Sequence, residues 1–130
     1  MEPASIDGLI VLPTKHSVAD VLAKIVSIAK SKGLTVFAQI DFSGDAAKSK
    51  LAMAPSGLVI FGNPIAGTPV MVAAPTAAID LPLKILAFEQ NGRTFVAYND
   101  PKYLQRRHGF PAALLSNLAP IAVLAQAAAD

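Results

Sequence analysis

The sequence predicts a two-layer α+β domain in the order β-α-β-β-β-β-α, and three features carry that reading. One is an amphipathic helical stretch between two short β-prone runs. Another is an Asn-Gly turn joining two further β-like runs, and the third is a long uncharged apolar segment near the end of the chain. Together they predict helices packed on one mixed sheet, with a C-terminal hairpin whose strands cover about 83–89 and 94–98.

Gly8 to Leu12 is short, apolar and β-prone, so it reads as the first strand. Ser17 stands three residues before Asp20, a capping-box-like helix start. Val18, Val21, Leu22, Ile25, Ile28 and Ala29 follow at helical spacing and form one apolar stripe. Lys30 and Lys32 suit the negative end of the helix dipole, and Gly33 supplies a left-handed exit.

Thr35 to Ile40 reads as the second strand, and Ser43 to Leu51 as a short helix or helical loop. Leu58 to Phe61 is a continuous apolar run, which predicts a strand buried on both faces. Asn63-Pro64 ends it, and Thr68 to Ala74 reads as one short helix stopped by Pro75. Asn91-Gly92 accepts the positive φ values of a type I′ turn and therefore predicts the hairpin. Asp100-Pro101 then starts a short helix that Gly109 ends, and Pro111 starts another that Pro120 kinks or divides.

With 130 residues, of which 53% are hydrophobic and 15% charged, the chain has the size of one domain, 1–130, with a sizeable core. So little charge predicts that a partner covers some apolar surface, most simply a second copy forming a homodimer, with Leu118 and Ile121 as candidate contact residues. Eleven cations against nine anions leave a net charge of +2, and the lysines are scattered, so no nucleic-acid interface is expected. The absence of cysteine removes disulfides and thiolate chemistry. His108 to Ala129 contains no charged side chain and is long enough to span a bilayer, yet Ser116, Asn117, Gln126 and Pro120 interrupt it. A packed helix in a cytoplasmic protein is the expectation, with no membrane contact.

Several motifs occur in the order of a known family. Ile60-Phe61-Gly62-Asn63-Pro64, Asp80-Leu81-Pro82-Leu83-Lys84 and Tyr98-Asn99-Asp100-Pro101, followed by Tyr103-Leu104 and Arg107-His108, resemble the bacterial domain-of-unknown-function 302 family from about Gly8 to about Leu124. The resemblance implies a two-layer α+β fold and suggests a homodimer, but it implies no reaction. Members often carry a histidine after the acid that closes the second strand. Asp41 is instead followed by Phe42, so the resemblance implies loss of any activity that needs that histidine.

The candidate catalytic residues are Asp41, Asp80 and His108. Two carboxylates in different surroundings serve as acid and base if they converge; the alternative is that both cap turns. His108, with Lys102, Arg106, Arg107, Tyr98 and Tyr103 nearby in sequence, suits a small anionic ligand, unless the basic residues only complement a helix C-terminus. Asn63, Pro64 and Met71, leading on to Asp80, form a loop able to wall an apolar pocket or simply to cross the sheet. No metal site is expected from two remote histidines, His16 and His108, and no cofactor is indicated. Three functions stay open: a homodimeric module binding a small apolar or anionic molecule, an acid–base enzyme, and a purely structural or interaction role.

Overall fold

The structure is a computed structural model and describes residues 3–130. Five strands form one sheet in the order β1-β5-β4-β3-β2: β1 (Leu9–Thr14), β2 (Thr35–Asp41), β3 (Ser56–Gly62), β4 (Leu83–Gln90) and β5 (Arg93–Asn99). Every neighbouring pair is antiparallel, which corrects the expectation of a mixed sheet. The physical reason lies in the insertions. The links between β2 and β3, and between β3 and β4, carry helices that return the chain without a right-handed parallel crossover onto the sheet.

The hairpin turns on Asn91 (φ 54°) and Gly92 (φ 77°), with Gln90 opposite Arg93, as a two-residue primed turn requires. Helix α1 (Val18–Ser31) starts where the Asp20 N–H donates to Ser17 Oγ at 3.1 Å, and it lays Val18, Val21, Ile25 and Ala29 on the sheet. Helix α6 (Pro120–Ala129) packs beside it, burying Ile121, Leu124, Ala125, Ala128 and Ala129 against the same face. Val59, Phe61, Ile85, Ala87, Val96 and Tyr98 complete this core from the sheet side.

Ile121 and Leu118 are thus 1% and 2% exposed within one chain, which corrects their reading as dimer contacts. Ile121 packs on the strands from α6, and Leu118 packs with Val70, Leu104 and Phe110.

The opposite face of the sheet carries no helix in the core cluster. Register places Ile40, Leu58, Leu86, Ala97 and Val11 side by side in one row across all five strands. Leu58 and Ile60 are only half-buried there, so β3 is buried on one face and not on both as its apolar run predicts.

A second cluster sits at the end of the sheet where β3 finishes and β4 begins. Helix α2 (Phe42–Lys48) lies at the other end of β3, after β2. Helix α3 (Pro64–Ala73) and a 3₁₀ segment (Pro75–Ile79) pack against α4 (Pro101–His108), a 3₁₀ turn at Ala112–Leu114 and α5 (Leu115–Leu118). Val70, Ala74, Ala77, Leu104, Phe110 and Leu118 form its centre. Helix α3 begins four residues earlier than the sequence suggests. Asn63 caps it through a 3.0 Å bond from Ile65 N–H, and Pro69 is accommodated inside it.

Candidate functional site

A cavity of about 250 Å³ lies between this second cluster and the sheet. Its floor is apolar, made by Phe61, Leu83, Leu118 and Leu124. One wall is the first two turns of α3, from Asn63 and Pro64 through Ala66, Gly67 and Thr68 to Met71. Leu81 and Pro82 close another side, and Lys32, Phe37 and Asn117 also line the cavity. Asn117 also ties α5 to α3, its Nδ2 donating to the Ala66 carbonyl at 3.0 Å. The cavity is somewhat below the ~300–1,000 Å³ usual for ligand sites and shares their make-up of apolar walls with a few polar groups.

Lys32 is the one charged residue in this lining. Its backbone N–H closes α1 by bonding Ile28 and Ala29 carbonyls, while its side chain makes no hydrogen bond or ion pair with any described residue. Asn63 Oδ1 is occupied by the α3 cap, and the Ala66 and Gly67 N–H groups both bond the Asn63 carbonyl. The helix start is therefore satisfied internally, leaving the field of its dipole and the Asn63 Nδ2 group as its contribution to the cavity.

Asp80 lies outside the lining and organises a separate cluster. Its Oδ2 accepts from Arg107 Nη1 at 2.9 Å and meets His108 Nε2 at 2.5 Å, and Oδ1 accepts a second Arg107 bond at 3.2 Å. Thr76 Oγ1 lies 2.8 Å from His108 Nδ1. With Asp80 ionised, His108 presents a proton on Nε2 to it, and in the neutral imidazole Nδ1 then accepts from the Thr76 hydroxyl. The His108 side chain is 5% exposed and Asp80 16%, so this chain of bonds is largely shielded from water up to the exposed threonine. Lys84 Nζ donates to the Asp80 carbonyl at 3.1 Å. Burial on the half-covered sheet face pulls the Lys84 pKa down, with the Asp80 charge acting in the other direction.

The residues expected to act together thus fall into five places. Asn63, Pro64 and Met71 line the cavity, and Asp80 and His108 form the clamp. Tyr103 covers Gly8 and carries Arg106 over its ring at 6.0 Å, with Arg106 also reaching Asp7 at 4.0 Å. Tyr98 belongs to the main core, where burial, helped by the Asp100 charge, raises its pKa. Asp41 does not meet Asp80. It pairs with Gly57 at one end of β3, whereas Leu83, just after Asp80, pairs with Phe61 at the other. Asp41 instead caps α2, accepting from Gly44 N–H at 2.9 Å and from Ser43 Oγ at 3.1 Å. His16 bonds the Asp130 carbonyl at 2.8 Å, far from the clamp in both sequence and sheet order. Thr76 went unrecognised because Pro75 reads as a stop for the preceding helix. A proline followed by Thr is equally a first-turn signal, and here it starts the 3₁₀ segment.

Residues 10–127 match the family model described as domain of unknown function DUF302. The chain belongs to the DUF302 family. Its fold matches the crystal structure of an uncharacterised conserved DUF302 protein from Bacillus stearothermophilus with a TM-score of 0.77. That match is at 18% identity over 96% of this chain and 98% of the other, so the likeness is one of fold. This DUF302 chain is also 38% identical over 102 residues to the fluoride-specific ion channel FluC 1 of Brucella suis biovar 1, a match covering 78% of the chain and 40% of the relative. FluC 1 of Brucella abortus biovar 1 matches at 38% identity, with 38% of its length covered. The DUF302 chain therefore spans about two-fifths of the curated relatives it matches. Its apolar run Ala112–Ala129 is long and apolar enough to cross a membrane by length and composition. Here it is divided into a 3₁₀ turn, α5 and α6, and α6 packs on α1 and the sheet.

Proposed function

We propose that this DUF302 chain is a homodimeric, cytoplasmic module that binds a small, mainly apolar molecule in the cavity between α3 and the sheet. The observation that carries this reading is the cavity itself, with an apolar floor and, among the described residues, one cation in its lining that none of them pairs. Core packing normally leaves few voids larger than a water molecule, so an opening of this size beside satisfied secondary structure favours an occupant. The open sheet face supports the dimer. Five strands about 4.8 Å apart and about six residues long offer a patch roughly 24 by 20 Å, somewhat over half of the ~800 Å² of a standard interface side. A chain without cysteine needs no oxidising compartment. Native mass spectrometry of the protein as purified tests both parts. A dimer carrying extra mass is the expected result; a bare monomer that also stays bare when incubated with C6–C10 alcohols would overturn the reading.

A second reading is favoured by the line Thr76–His108–Asp80, in which an exposed hydroxyl donates to an imidazole held by a carboxylate. This is the arrangement of a nucleophile, a base and an orienting acid. Hydrolysis of small activated esters that disappears in both Thr76→Ala and His108→Gln, in folded protein, would favour it.

The identity with part of two fluoride channels supports a further role as an accessory domain of an anion channel, with conduction carried by the part of the relatives that this chain does not match.

A further inference from the structure

We infer that the cavity selects a monoanionic amphiphile, such as a medium-chain carboxylate, over neutral or cationic molecules of equal length; this rests on the cavity reading above. Among the described residues, none in the lining is a carboxylate. Its one ionic group is the Lys32 ammonium, which no described residue neutralises. The first turn of α3 forms the adjoining wall, and its dipole places partial positive charge on the same side. Asn63 offers a donor amide there, because its Oδ1 alone is used by the helix cap.

The nearest acid in sequence, Asp80, does not oppose this field. It lies outside the lining and its carboxylate is held by Arg107 and His108. The rest of the cavity suits a chain of methylenes. Phe61, Leu118 and Leu124 are nearly fully buried at its floor, and Met71 is an adaptable thioether on its wall. A polar head therefore has donors and positive charge to meet, and the tail has mainly apolar contacts, with Thr68 and Asn117 as the other polar side chains in the lining. The aqueous exposure of Lys32 limits the electrostatic gain to that of a partly solvated pair.

Calorimetric titration of wild-type protein with octanoate, 1-octanol and octylamine at pH 7 and low salt tests the inference. Octanoate should bind about fivefold more tightly than octanol, from the combined worth of a partly exposed ion pair and a helix dipole. Octylamine should be the weakest, and added salt should narrow the gap. Lys32→Met should cut the octanoate preference over octanol to about twofold, the share left to the helix dipole. Gly67→Phe, which adds a ring where a Cβ meets only Met71 Cε at 4.0 Å, should remove binding of all three. Octanol binding as tightly as octanoate, or a carboxylate preference undiminished in Lys32→Met, would overturn the anion selectivity and leave the cavity reading standing. Binding of none of the three would overturn both.

Discussion

His108 Nε2 sits 2.5 Å from Asp80 Oδ2, joining residues 28 positions apart and fastening α4 to the segment that leads into β4. Arg107 bonds the same carboxylate, so Asp80 is held from two consecutive residues of one helix end. The residues after Asp80, Leu81 to Leu83, line the cavity. The clamp thus fixes one wall of the candidate site without touching a ligand in it.

Asp80→Asn should cost about 2 kcal/mol, the range for losing charge-assisted bonds at a partly buried carboxylate. In urea unfolding this appears as a lower midpoint at constant slope. Arg107→Ala should cost well under half as much, because its side chain is 50% exposed. Equal stability of wild type and Asp80→Asn would remove the clamp from this account.

Gly8 has φ +79°, and a Cβ there would lie 2.2 Å from the Tyr103 ring. Gly33 has a similar φ of +73° but open space around it. Gly33→Ala should therefore cost about 1 kcal/mol from backbone conformation alone, and Gly8→Ala at least twice that. Similar losses at both positions would show that Tyr103 moves aside freely.

Tyr98 titrates above its ordinary value because burial, and then the Asp100 charge, disfavour the phenolate. Its folded pKa is raised, so the stability it contributes is fully present below pH 10 and is lost as pH climbs through the raised value. Tyr98→Phe should flatten the alkaline loss relative to wild type, with Lys84 contributing equally to both proteins. Parallel stability curves from pH 8 to 11 would contradict this.

Ile40, Leu58, Leu86 and Val11, which flank the buried Ala97 in one row, form the surface for self-association in the proposed dimer. Leu58→Lys should convert the dimer to monomer in sedimentation velocity while the fold survives, since Leu58 is only half-buried. Ile121→Asp, at 1% exposure, should instead unfold the chain. A dimer that persists in Leu58→Lys would move the interface elsewhere.

Helix α1 and the β4–β5 hairpin were legible because local chemistry decides them: the Ser17 cap with its apolar stripe, and the Asn91-Gly92 turn. Strand direction was not legible at β3. An apolar run such as Leu58 to Phe61 is the same whether its second face is covered by helices or left half-open. Helix α3 was foreshortened because Gly67 and Pro69 suppress its propensity, while packing of Val70 and the Asn63 cap hold it. Asp80 and His108 were visible as reactive residue types, but their meeting depends on how α4 lies against the 3₁₀ segment, a contact between distant residues. The same applies to Lys32, whose role at a helix end is evident locally and whose place in the cavity is not.

Met71 offers a direct view of whether the cavity admits a ligand, because among the described residues it is the methionine in the lining. In protein labelled at methionine methyl groups, titration with octanoate should shift the Met71 signal in a saturable way. The Met53 signal, from a side chain outside the lining that is 50% exposed, should stay fixed. A Met71 signal that does not move at saturating octanoate, or that moves only together with Met53, would contradict the account.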